Sequence, residues 1–200
     1  MAARVDSSPL SPSDTLRFTN AREAYMFGHH DAAPDTSGMP PGSYLLRRKL
    51  ASIDGFLVFD SNGAQLYHFK HHAAFGKERW TMHDASEAQV AELVRPAMHV
   101  HPTFVLSRLG RADVTIRKSN FLPLKETWRI EGSEDGDLDV AGDIADHEFT
   151  VVDQSGLIVA TATQSWITLT DSFGIQVDGV DPVLVIAGAV GIDVIDHEHR

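Results

Sequence analysis

The sequence predicts an all-β fold with one central helix: a closed antiparallel barrel of about twelve strands around a buried, hydrophobic C-terminal α-helix. Two observations carry this expectation. From Tyr44 onward, twelve short runs of β-branched, aromatic and aliphatic residues follow one another, separated by turn formers and without helical periodicity. After them comes an unbroken stretch of ten apolar or glycine residues, 183–192. A helix that is apolar on every face must be enclosed on all sides or lie in a membrane. Crossing a bilayer takes roughly 17 to 25 apolar residues. Asp193 interrupts this run after ten, so enclosure by strands is expected.

Along the chain, residues 1–42 read as a flexible N-terminal extension and 43–200 as the barrel domain. The stretches SSPLSPSD and HHDAAPDTSGMPPGS are rich in Ser, Pro, Gly and Asp, and too poor in apolar residues to offset the entropy of ordering. Strands are predicted at YLLRRKL, GFLVFD, AQLYHFK, RWTMHD, EAQVAELV, TFVLSR, RADVTIRK, ETWRIE, LDVAGD, HEFTVVD, LIVATAT and FGIQV. Their connections contain Asp-Ser-Asn-Gly (60–63), Arg-Leu-Gly (108–110), Ser-Glu-Asp-Gly (133–136) and Asp-Gln-Ser-Gly (153–156). Asx side chains nucleate such turns and Gly accepts positive φ, so antiparallel hairpins follow. VFDSNGAQLYHF and TVVDQSGLIVAT share one pattern, and HDASEAQVAEL repeats it with Glu87 where Gly is expected. A duplicated hairpin unit explains the echo, and so does common turn chemistry.

Asp181 and Pro182 form a helix start, the first as a cap and the second at a position where a missing N–H costs nothing. Fifteen helical residues rise about 22 Å, and a strand of six or seven residues covers about 20 Å. The helix therefore matches the height of a barrel. Ala187, Gly188, Ala189 and Gly191 make it slim. Each glycine weakens an isolated helix by about 1 kcal/mol, which tight enclosure would offset.

Charge and composition exclude several function classes. Net charge is −11, and residues 131–200 carry fifteen carboxylates against Arg200 alone. A surface of that sign repels nucleic-acid phosphates, so nucleic acid is not the expected partner. With no cysteine, the chain has no thiolate metal site, no cysteine nucleophile and no thiol for palmitoylation. The first twelve residues hold no secretory apolar core, and no transmembrane segment remains once the helix is a plug. The expected location is cytoplasmic, with peripheral membrane attachment as an extension of it.

The closing region resembles the LURP-one-related and phospholipid scramblase branches of the tubby C-terminal-like superfamily. Carrying the resemblance are Trp166, Asp171-Ser172-Phe173-Gly174-Ile175-Gln176, Asp181, the apolar run and Ile192-Asp193. Upstream, Lys49-Leu50, Phe56-x-Val58-x-Asp60-x-x-Gly63, Gly142-Asp143, and Phe149-Thr150-Val151 through Asp153-x-x-Gly156 are similar to the LURP-one-related pattern. The resemblance covers roughly residues 44–196 and implies the same helix-filled barrel.

The resemblance to scramblases implies a calcium loop ahead of Phe173, in which Asp171 matches one acid and Leu169 replaces the other. Calcium takes about six to eight oxygen ligands, so Asp171 alone makes a weak site and no cofactor is expected. The cluster Glu134-Asp135-Gly136-Asp137-Leu138-Asp139 opens with EF-hand spacing, but Val140 stands at the sixth position and Asp146 at the twelfth. It reads instead as a solvated hairpin tip. Among the eleven histidines, His99-x-His101, His71-His72 and His29-His30 suggest imidazole pairs without a third ligand for zinc. No HExxH, GxSxG or P-loop pattern occurs.

The strongest candidate site is basic. Between residues 95 and 129 lie Arg95, Arg108, Arg111, Arg117, Lys118, Lys125 and Arg129 against Asp113 and Glu126. Arg108 and Arg111 flank the Leu109-Gly110 turn, where two guanidinium forks could close on one phosphate or carboxylate. Arg117 and Lys118 would extend that anion site, while a solvated face pairing with the acidic half of the same molecule is the plainer reading. The resulting expectation is a non-enzymatic binding module for an anionic, phospholipid-like head group or a protein partner. Its alternatives are a calcium-responsive, scramblase-like membrane protein and a metal-dependent enzyme using histidine ligands.

Overall fold

A computed structural model of the chain describes residues 34–49, 55–74, 77–96, 101–120, 127–166 and 172–198. The unit they build is Ala33–Arg200, and the predicted extension up to residue 33 lies outside the described residues. Ahead of the first strand, Thr36 and Met39 are already buried, so packing starts before residue 43.

The twelve strands fall where the sequence places them. They are β1 (Ser43–Arg48), β2 (Phe56–Asp60), β3 (Gln65–Ala74), β4 (Lys77–Asp84), β5 (Gln89–Arg95) and β6 (Thr103–Arg108). The second half comprises β7 (Val114–Asn120), β8 (Thr127–Glu131), β9 (Leu138–Asp143), β10 (Glu148–Val152), β11 (Ile158–Thr163) and β12 (Ser172–Val177). Each strand pairs antiparallel with the next, and β1 pairs with β12 to close the barrel. Closure removes both sheet edges.

Period-two alternation sorts the side chains. On β7, Val114 and Ile116 are fully buried, whereas Thr115 and Arg117 face outward. The inward residues of all twelve strands surround α1 (Pro182–Glu198), in which Leu184, Ile186, Ala187 and Val190 are completely inaccessible. Two glycines give the helix its clearance. A methyl group on Gly191 would sit 3.1 Å from the Phe104 ring, and one on Gly188 would sit 3.2 Å from Ile130 Cδ1. Enclosure by strands is thus the outcome, and the interior is filled.

Three hairpins share one turn. Asp60, Asp84 and Asp153 each accept backbone N–H groups two and four residues onward, at 2.8 to 3.0 Å. The fourth residue of each turn has positive φ: Gly63 at 81°, Gly156 at 85° and Glu87 at 65°. A register shift accompanies all three. The echo in the sequence corresponds to this one turn, built three times.

Candidate functional site

The barrel positions three polar clusters, one at each rim and one on the outer wall. At the first rim the β2–β3, β4–β5, β6–β7, β8–β9 and β10–β11 turns surround the helix N-terminus. Arg108 ends β6 with its side chain only 4% exposed and donates to the Asp181 carboxylate. Arg111, 41% exposed, lies 3.4 Å from the same carboxylate and 3.4 Å from Glu134. Asp181 Oδ1 accepts the Val183 N–H at 3.0 Å, which caps the helix, and the Asp181 N–H donates to Asp135 at 3.2 Å. The two guanidinium groups thus close on one carboxylate, which belongs to the chain itself.

The other basic candidates lie elsewhere. Arg117, on the outer face of β7, donates from Nε and Nη2 to the two Glu131 oxygens at 2.9 and 2.7 Å. That hydrogen bonding lowers the Glu131 pKa against a smaller opposing effect of burial. Arg129 lies 3.7 Å from Glu131 and 3.6 Å from Asp139. Lys118 points to the opposite face of β7, its ammonium 5.9 Å from the centre of the buried Trp128 ring. The structure therefore brings Arg108 and Arg111 together and separates Arg117 from Lys118. The 134–139 cluster is a hairpin tip whose carboxylates face Arg111, Arg129 and the Asp181 amide. Asp171, the calcium candidate, lies outside the described residues.

At the second rim, the carboxylate that ends the apolar run is itself buried. Asp193 accepts from Arg48 Nη2 at 2.5 Å and meets His147 Nε2 at 2.6 Å. Burial pushes its carboxyl up, but the His147 hydrogen bond and the Arg48 charge outweigh this and hold it below the ordinary value. The His147 ring stacks on Phe173 at 4.2 Å, and its Nδ1 lies 2.9 Å from Gln164 Nε2. One residue from Phe173, a methyl group on Gly174 would come within 2.6 Å of the Trp166 ring. Phe173 and Asp193, taken from the motif in the sequence, are joined here through His147 as a lock between helix and wall, whereas Trp166 and Gly174 pack on the outer face beside Leu45.

On the outer wall, His68 of β3 and His83 of β4 are direct cross-strand partners with rings stacked 5.2 Å apart. The Glu87 carboxylate reaches back from the β4–β5 turn to His68 Nε2 at 3.5 Å and Lys70 Nζ at 2.8 Å. His71 and His72 point to opposite faces of β3, toward Trp80 and toward Thr81 Oγ1. His29, His30 and His99 lie outside the described residues. Sequence spacing missed the His68, His83 and Glu87 cluster because its members meet through register across a hairpin. Its one visible signal was Glu87 at a glycine position.

No helix among the described residues is long and apolar enough to cross a membrane. None of the curated proteins compared matches the sequence. The chain is similar to the crystal structure of a protein from Arabidopsis thaliana, at 17% identity and a TM-score of 0.56. That likeness covers 82% of this chain and 98% of that one, and it shows a shared fold. The family model described as LURP-one-related matches residues 43–193, a span holding the barrel, its three like turns and the Asp193 lock. By that match the chain belongs to the LURP-one-related family.

Proposed function

We propose that the chain is a non-enzymatic binding module that recognises a protein partner through the turns of its first rim. The observation that carries this reading is the exposure of Leu109 (96%), Leu157 (64%) and Ile158 (54%) on or beside the β6–β7 and β10–β11 tips. Large aliphatic side chains on rigid hairpin tips are contact surface rather than core. The helix fills the barrel, so recognition falls to the outside. Charged residues of both signs border these tips and suit a polar interface margin. Residence in the cytoplasm belongs to the same reading.

A second reading places an anionic, phospholipid-like head group at the basic strands, with the chain peripheral to a membrane. It is favoured by Arg111, whose two carboxylate contacts are both long and whose side chain is open to solvent. Arg117 and Lys118 would contribute outside that contact. The acidic first rim opposes it, because an anion must displace carboxylates already in place.

Comparative capture tests the first reading. A protein held by the parent chain is expected to be lost from the doubly substituted Leu109→Asp, Leu157→Asp chain and kept by a control, Ala73→Asp, at an exposed position near the other end of β3. An identical set of captured proteins in all three removes it. Flotation on phosphatidylcholine vesicles with and without phosphoinositide tests the second. Lipid-dependent flotation weakened by Arg111→Ala supports it, and no flotation of the parent chain discards it.

A further inference from the structure

We propose that His68, His83 and Glu87 form a binding site for a divalent transition-metal ion, with zinc the best match to the donor set, on the outer wall of β3 and β4. Two independent observations lead there. One is proximity: a ligand atom from each of the three residues lies within 4.8 Å of the others. A tetrahedral ion with bonds of about 2.0 to 2.1 Å holds its ligand atoms roughly 3.4 Å apart, so small side-chain rotations close the gap. The pairing of His68 with His83 in register fixes both imidazoles on one face of a rigid hairpin. Rotamer changes suffice, without movement of the barrel.

The other observation is backbone strain. In the three like turns, the left-handed position is filled by Gly63, by Gly156 and by Glu87. A side chain there costs about 1 to 2 kcal/mol relative to glycine, and such outliers concentrate where a particular side chain is needed. Glu87 directs its carboxylate to His68 and Lys70. Folding alone would be served better by the glycine that the two sister turns use.

Protonation suits the imidazoles to the task. His83 Nδ1 lies 3.1 Å from the Glu87 main-chain oxygen, which can only accept, so Nδ1 carries the proton and Nε2 holds the lone pair. A histidine ligand whose second nitrogen donates to a carbonyl is oriented as metal-binding histidines ordinarily are. Nε2 now takes a hydrogen from Thr81 Oγ1 at 3.0 Å, a contact that an ion would replace. Two nitrogens and one carboxylate oxygen suit zinc and neighbouring first-row ions, whereas calcium requires oxygen. The fourth position is left for water or an external ligand. Lys70 is the resident competitor, since its ammonium holds the carboxylate that the ion needs.

The test is calorimetric titration of the full chain with zinc chloride, alongside thermal melting with and without zinc. Expected is a site of one zinc per chain that raises the melting temperature. Glu87→Gly and His83→Ala should each weaken it by at least about tenfold, the lower end of what losing even an outer-shell partner costs a metal site. Lys70→Ala should tighten it. Glu87→Gly supplies the residue of the sister turns, so it should fold and melt no lower than the parent without zinc. Absence of binding by the parent at sub-millimolar zinc, or equal affinity in the folded Glu87→Gly chain, overturns the proposal.

Discussion

Arg48 and Asp193 lie 145 residues apart in sequence and meet at 2.5 Å inside the second rim, tying the first strand to the last turns of the helix. Both side chains are largely shielded from water. Removing one partner from such a pair strands the other, which costs about 3 to 5 kcal/mol when the pair is fully buried. Asp193→Ala is expected to approach the lower figure in urea denaturation. Replacing both residues together, as Arg48→Met with Asp193→Leu, should recover much of that loss.

The same carboxylate sets an acid limit on stability. Its folded pKa is depressed below the ordinary aspartate value, so its contribution is complete above the unfolded pKa of about 3.9 and is lost as pH falls through the lower, folded one. Asp60, Asp84 and Asp153 shift the same way in their turns. Against that shared background, Asp193→Asn should flatten the fall in melting temperature below about pH 4. An unchanged acid limb in that variant contradicts the assignment.

At the opposite rim, Asp181 and Arg111 should differ sharply on truncation. Losing a helix cap costs about 1 kcal/mol, and Asp181→Ala also leaves the buried Arg108 without its carboxylate. Its cost in chemical denaturation should therefore exceed that of a cap alone. Arg111→Ala breaks only half-exposed contacts and is expected to stay under about 1 kcal/mol.

Clearance around the helix gives a steric prediction. Gly191→Val would drive a branched side chain into the Phe104 ring and should destabilise by about 1 to 3 kcal/mol. Gly188→Ala meets only the movable end of Ile130, and the gain in helix propensity of about 1 kcal/mol opposes the contact. Thermal melts of the two variants should separate clearly.

Much of the architecture was legible because barrel walls and a plug leave period-two and all-round apolar patterns that need no partner to be seen. The Asp-x-x-Gly turns were legible for a similar reason, since their chemistry is confined to five residues. Arg108 and Arg111 were recognisable as a pair beside their turn. That their carboxylate is Asp181 was not, because it depends on which hairpin tips share a rim with the helix start. Asp193 read as the end of an apolar run, and its partners Arg48 and His147 emerge only when the barrel closes. His68 and His83 stand fifteen positions apart, so their pairing follows from the register of β3 on β4 and from no local motif.

Closure of β1 on β12 also dictates an order of events. The first strand must wait, unpaired on one side, until the chain has been extended through residue 177, and the segment that fills the interior follows still later. Until then the inward faces of the strands lack the helix that they enclose. A chain emerging from the ribosome in that condition is held by local hairpins alone, which makes its assembly slow and dependent on long-range contacts.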